Sequence, residues 1–233
     1  MNIQHIIERN KKAIILIDVA IPQENNQTKV GIKGTGFIIS ADGKFITNAH
    51  VVKQIAPDEQ KHSGVSVPAH VDQKNLTRYE RYSIKLLGID EENDVALMQI
   101  VSDKKDFHTV EGLGDSESIR EGDEIAFIGY PLAVELLNMG FGITMTTNRS
   151  IVSSLKRRGV DGSFHFFLID GHINNGSSGS PVFSVETGKV VGIASAKISA
   201  KIQIPNGPVA DIPANMGICR PIQYITELIA KNK

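Results

Sequence analysis

The chain has 233 residues, 41% hydrophobic and 22% charged, a composition that yields a well-cored soluble globule and excludes intrinsic disorder. With 25 Lys+Arg against 26 Asp+Glu the formal net charge is -1, so neither nucleic acid nor an anionic membrane is expected as a partner. The single cysteine, Cys219, excludes an intrachain disulfide.

Met1–Lys12 scatters its charges and lacks the long apolar stretch of a secretory signal. The next run, Ala13–Ile21, is far too short to span a bilayer and contains Asp18. Taken with the absence of disulfides, these features place the expected location in the cytoplasm. Ile3, Ile6 and Ile7 fall at helical spacing and predict a short N-terminal helix. Short runs rich in Ile, Val and Phe then follow: Ala13–Ala20, Gly36–Ser40, Lys44–Thr47, Ser83–Leu87, Val95–Val101, Glu124–Ile128, His165–Ile169, Val182–Ser184 and Lys189–Ala194. Turn signals such as Ala41-Asp42-Gly43 and Glu121-Gly122-Asp123 separate them, the pattern of an all-β sandwich or barrel. Ala56–Gln73 reads as a polar loop, Ser102–Glu117 as a connection between two halves, and Ile204–Met216 as irregular and proline-rich. In the last segment, Pro221–Lys233, Ile222, Ile225, Leu228 and Ile229 share one face of a terminal helix that starts with Pro and ends in lysines.

Three segments carry chemistry. Phe45–Val52 is a strand running into His50, Asn93–Met98 places Asp94 at the head of an apolar strand, and Asn175–Pro181 sets Ser178 in a glycine-rich bend. A serine hydroxyl is a poor nucleophile near neutral pH and needs a base; imidazole suits that task. A carboxylate fixes the imidazole tautomer and stabilises the imidazolium. Flanking glycines let the backbone turn two N–H groups toward a developing oxyanion. Each segment is unspecific alone, whereas His, Asp and Ser in this order on an all-β pattern are far more specific.

The stretches GTGFIISADGKFITNAHVV (Gly34–Val52), NDVALMQI (Asn93–Ile100), GDEIAFIGYP (Gly122–Pro131), SIVSSLKR (Ser150–Arg157), FLIDGHINNGSSGSPVF (Phe167–Phe183), GKVVGIASA (Gly188–Ala196) and NMGICRPI (Asn215–Ile222) resemble the chymotrypsin-fold serine proteases, nearest to their HtrA-like branch. The resemblance implies two six-stranded Greek-key β-barrels, with a short N-terminal helix, a C-terminal helix and the active site between the barrels. The first barrel, with the N-terminal segment, would occupy residues 1–105 and carry His50 and Asp94. The second, with the C-terminal helix, would occupy residues 106–233 and carry Ser178. It implies His50 as general base, Asp94 as its orienting partner, Ser178 as nucleophile, and the N–H groups of Gly176 and Ser178 as oxyanion hole. His172, Ser195, Lys197 and Gly217 match positions that line the substrate cleft.

Ser177 stands where digestive relatives place the Asp that pairs with a freshly cut N-terminus, so activation by cleavage is not expected. Pro221–Lys233 reads as the helix that closes the protease domain, so regulation through a PDZ segment in this chain is not expected. His172 and Lys197 disfavour a basic P1 residue. Small or medium apolar P1 residues fit the branch, with an acidic P1 as the alternative. The expected activity is endopeptidase action on protein or peptide substrates, without metal or cofactor. The rival is a catalytically silent or partner-activated peptide-binding module, whose activator would be a partner or a homo-oligomer. Gly31–Gly36 is glycine-rich, but it leads into a strand and lacks the phosphate-loop lysine, so it reads as a turn. Lys156-Arg157-Arg158 reads as a solvated hairpin tip, and Cys219 as a buried inert thiol.

Overall fold

The computed structural model describes residues 2–24, 27–71, 77–158, 162–204 and 207–232. Strands β1 (Ile14–Pro22), β2 (Thr28–Ile38), β3 (Lys44–Thr47), β4 (Ser63–Val71), β5 (Thr77–Asp90) and β6 (Val95–Ile100) close one barrel in the order β1-β2-β3-β6-β5-β4. Strands β7 (Glu124–Gly129), β8 (Thr146–Arg157), β9 (Phe164–Ile169), β10 (Pro181–Ser184), β11 (Val190–Gln203) and β12 (Val209–Pro221) close another, in the order β10-β11-β12-β9-β8-β7. The helices are α1 (Ile3–Asn10), α2 (Ala49–Lys53), α3 (Ala133–Asn138) and α4 (Ile222–Lys231). The all-β class, the two six-stranded barrels and the two terminal helices are those expected.

The apolar runs become strands because closure of each barrel hides one of their faces and packing against neighbouring elements hides much of the other. Ile14–Val19 of β1 is buried at every residue. The N-terminal helix is fastened to the inter-barrel segment: the buried Asn10 side chain donates to Ile6 O (2.8 Å) and accepts from Glu111 N (2.8 Å). Helix α4 leaves the second barrel but packs Ile222, Ile225 and Leu228 into the core that also holds Ile14, Val95 and Leu97 of the first. Tyr130, after β7, donates its hydroxyl to Ile14 O (3.1 Å) and pins the barrels at a second place.

Three sequence expectations fail. Gly31–Gly36 is no turn: it lies inside β2 and pairs with β1 from Val19↔Gly31 to Ile15↔Gly36. The polar stretch Ala56–Gln73 contains β4, whose register against β1 pairs Ile17 with Val65 and Leu16 with Ser66. Among its described side chains Val65, Val67 and Pro68 are the buried apolar ones; Ser66 is buried with its hydroxyl on Asp18 (2.8 Å). The irregular stretch Ile204–Met216 contains most of β12, which runs beside β11 as a ribbon from Gln203↔Val209 to Ser199↔Pro213. That ribbon is held by backbone pairing, and its Ile202, Val209 and Ile212 stay exposed, so no hydrophobic period announces it.

Candidate active site

His50 sits in α2, directly after β3, and Asp94 sits in the turn that enters β6; β3 and β6 are paired, Thr47 to Ala96. That pairing brings the two side chains together. His50 Nδ1 lies 2.9 Å from both Asp94 Oδ1 and Oδ2, and the His50 backbone N–H donates to Oδ1 (3.0 Å). Ser195 Oγ donates to Asp94 Oδ2. Burial works against the charged carboxylate, but the hydrogen bonds from His50 and Ser195 outweigh it and hold its pKa below the usual value. An ionised Asp94 keeps the imidazole proton on Nδ1 and leaves Nε2 as an acceptor.

Among the described residues only Asp94 (φ 56°) and Leu132 (φ 50°) are non-glycine residues with a left-handed backbone. Asp tolerates that region better than most residues. At Asp94 the conformation is secured on several sides: Asn48 Nδ2 donates to its carbonyl (2.9 Å), and the preceding turn is closed by Asn93 N on Asp90 Oδ1 (3.1 Å). From the other barrel, Arg158 binds Glu92 and Asn93, each at 2.8 Å. The basic cluster is therefore no free hairpin tip: Arg158 clamps the turn before Asp94, and Arg157 pairs with Glu117 (2.7 Å).

The loop carrying Ser178 can be accounted for group by group. Asn175 O accepts from Leu132 N (2.7 Å), Gly176 O from Thr35 Oγ1 (2.7 Å), Ser177 O from Ser180 N (3.0 Å) and Ser178 O from Thr35 N (2.8 Å). Ser177 N donates to Asn174 O (2.9 Å) and Gly179 N to Ala194 O (2.9 Å). Among the described residues no acceptor is recorded for Gly176 N or Ser178 N. In a planar trans peptide C=O and N–H point opposite ways, so anchoring the Asn175 carbonyl on Leu132 also aims the Gly176 N–H away from it. Gly176 has φ 90°, and a Cβ there would lie 2.2 Å from Tyr130 O, so only glycine fits. The Ser178 hydroxyl donates to Ser195 O (3.0 Å) and makes no hydrogen bond to His50.

Ser195 is buried beneath the imidazole–carboxylate pair, and Gly217 pairs with Lys197 and Ile169. His172 and Lys197 are exposed. The side chain that packs on Gly217 is Ile173, 3% exposed: a Cβ on Gly217 would lie 2.7 Å from its Cδ1. The resemblance names His172 for this part of the cleft, whereas the side chain on Gly217 is that of its neighbour. The available signal was that Ile173 is the only apolar residue between Gly171 and Ser178.

Beside His50 and Asp94 lies an open depression of ≈ 350 Å³, edged by the Lys53–Glu91 ion pair (2.8 Å). A larger groove, ≈ 480 Å³, lies on the first barrel beside Val52, Ile55 and Ile84 and holds none of the groups named above. Burial raises the pKa of the Cys219 thiol far above its ordinary value, as for an inert core residue. Among the described residues no helix is long and apolar enough to cross a membrane.

The family model of the trypsin-like peptidase domain matches residues 34–193. A probable periplasmic serine endoprotease, DegP-like, from Chlamydia trachomatis is 31% identical over 76% of this chain and 31% of its own length. The magnetosome formation protease MamE of Paramagnetospirillum magneticum is 35% identical over 77% of this chain and 21% of its own. The chain thus spans about a third or less of these relatives. The crystal structure of Deg5 superposes with a TM-score of 0.67 at 22% identity, covering 96% of this chain and 90% of that one, a likeness of fold. The expected cytoplasmic location does not stand: the DegP-like relatives are named periplasmic, which points to a periplasmic or secreted setting. Cysteine count and an unremarkable N-terminus carry little weight on location, since a protein without disulfides folds in either compartment.

Proposed function

Because the chain belongs to the trypsin-like peptidase family, as an HtrA-like serine protease domain, we propose that it hydrolyses protein or peptide bonds through an acyl-enzyme built on Ser178. The observation that carries this reading is the His50–Asp94 pair, at 2.9 Å to both carboxylate oxygens, beside a loop with two unpartnered N–H groups. Ser178 Oγ turns from Ser195 O toward His50 Nε2 by rotation about χ1, a move between staggered wells. His50 takes the hydroxyl proton as Oγ attacks the scissile carbonyl, and Asp94 stabilises the resulting imidazolium. The carbonyl oxygen becomes an oxyanion bound by the N–H groups of Gly176 and Ser178. His50 then gives the proton to the leaving amine. Water, activated by the same base, cleaves the ester.

Ile173 packs on Gly217, where a Cβ would lie 2.7 Å from its Cδ1, so this side of the cleft is already filled by an apolar side chain, which favours a small or medium apolar P1 residue. Exposed His172 and Lys197 provide no buried carboxylate for a basic one. The position of the Ser178 hydroxyl on Ser195 O also favours a cleft that aligns fully once a substrate or activating partner binds.

Labelling with a fluorophosphonate tests nucleophile, base and oxyanion hole together. The native chain is expected to label and Ser178→Ala not to; equal labelling of both would refute the assignment.

A further inference from the structure

The glycine-rich segment Gly31–Gly36, which reads in the sequence as a mere turn, carries Thr35, a residue without exposed surface. It lies on β2, opposite Leu16 of β1, in the barrel that bears His50 and Asp94. Thr35 nevertheless spends most of its hydrogen bonds on the other barrel. Its N–H donates to Ser178 O (2.8 Å), its hydroxyl donates to Gly176 O (2.7 Å), and the same hydroxyl accepts from Tyr130 N (3.1 Å). Its own carbonyl accepts from Thr47 Oγ1 (2.8 Å), which ties it back to β3 and so to the strand leading into His50.

We propose that Thr35 is a positioning residue of the acyl-transfer site: it holds the Gly176–Ser177 and Ser178–Gly179 peptides so that the N–H groups of Gly176 and Ser178 converge on one oxyanion. This rests on the proposed endopeptidase reading and adds a residue to it.

A threonine hydroxyl has one proton to give and lone pairs to accept, and here it does both. Valine has the same shape and can do neither. It would leave Gly176 O and the buried Tyr130 N without their partner, and with the valine methyl filling the place of the hydroxyl these groups regain partners only by moving. The contacts around Thr35 determine what moves. A Cβ on Gly179 would lie 1.8 Å from Thr35 O, and one on Gly34 would lie 3.0 Å from Ser178 O. With β2 and the loop in such close contact, the loop cannot slide as a body. The Gly176–Ser177 peptide, left with only its Ser177 N bond to Asn174 O (2.9 Å), therefore tilts in place, and the tilt turns the flanking peptides that carry the Gly176 and Ser178 N–H groups off their common target. The residue acts on where the oxyanion is bound, not on how the ground-state peptide docks.

The test compares Thr35→Val, Thr35→Ser and Thr35→Ala with the native chain on a fluorogenic peptide. A peptide aldehyde, whose serine adduct carries the oxyanion, and an uncleaved peptide bound to the Ser178→Ala background are measured beside it. We expect Thr35→Val to lose about 10- to 100-fold in kcat with KM essentially unchanged, and to lose aldehyde affinity by a similar factor. Uncleaved peptide should bind the Thr35→Val, Ser178→Ala double variant as well as it binds Ser178→Ala alone. Thr35→Ser, which keeps the hydroxyl, should recover most of the rate. If Thr35→Val does not fold, Thr35→Ala, which removes the hydroxyl with less bulk, is read the same way. A folded Val or Ala variant with native kcat would overturn the assignment, as would a Ser variant as impaired as Val. A native chain that the fluorophosphonate does not label overturns the endopeptidase reading itself; a labelled native chain with a fully active Thr35→Val removes only Thr35.

Discussion

Replacing Gly176 by alanine tests whether the nucleophile loop is held where its hydrogen bonds place it. Two penalties can be separated. The first is backbone strain: Gly176 has φ 90°, where an L side chain costs roughly 1–2 kcal/mol. The second is the contact. The new Cβ would stand 2.2 Å from Tyr130 O, against the 3.0 Å that real Cβ atoms respect, so the loop must retreat by at least about 0.8 Å. The obstacle is a backbone carbonyl, which no rotamer change removes. A misplacement on the order of 1 Å at a reacting centre costs about 10²-fold, and loss of one oxyanion donor about 10²–10³-fold. We therefore expect Gly176→Ala to lower kcat by about 10²–10³-fold, with KM little changed. Gly122→Ala is the control. Gly122 has φ 92° and no atom within 4 Å of its added Cβ, so it should lose only the roughly 1–2 kcal/mol of strain and keep native kcat. Thermal unfolding reports the strain, and a fluorogenic peptide assay reports kcat per folded molecule. Native kcat in Gly176→Ala, or equal damage in both variants, would refute the loop placement.

Ser178→Ala and His50→Ala should each lose about 10⁴–10⁶ in kcat, and Asp94→Asn about 10⁴, as read by single-turnover peptide cleavage of the folded variants. Asp94 also predicts a pH dependence of stability. Its folded pKa is below the unfolded value of 3.8, so its contribution is fully present above that value and is lost as pH falls through the lower, folded one. Asp170, lowered by its bond from Ser150, shares the acid loss, so the informative quantity is the native curve minus that of Asp94→Asn; a pH-independent difference through this range would contradict the pairing. Ile173→Val should shift P1 preference toward larger apolar residues by about 10-fold in kcat/KM, scored with a P1-varied peptide library. A new preference for Arg or Lys would remove Ile173 from the cleft.

The strands that close the barrels were legible in the sequence because burial selects mostly apolar residues along them, as in Ile14–Val19 and Val95–Ile100. The candidate site left a local mark for a related reason: His50, Asp94 and Ser178 each sit just outside such a strand, where turn chemistry marks the chain. The strand β4 and the β11–β12 ribbon were not legible, since backbone pairing holds them and leaves little apolar pattern behind.

Tertiary structure alone decided the details that matter for chemistry. Which residue beside the bend faces Gly217 depends on how the chain turns after β9, which buries Ile173 and leaves His172 exposed. That Arg158 clamps the Asp94 turn depends on a contact across 65 residues between Arg158 and Asn93. That the Gly31–Gly36 stretch of β2 presents Thr35 to Gly176 and Ser178 depends on two barrels closing against each other, 141 residues apart in the chain at Thr35 and Gly176. Local sequence encodes burial and turn geometry, because neighbours along the chain are enough to express them. It cannot encode which donors remain unpaired at Gly176 and Ser178, because that follows only when every other group in the loop has found its partner.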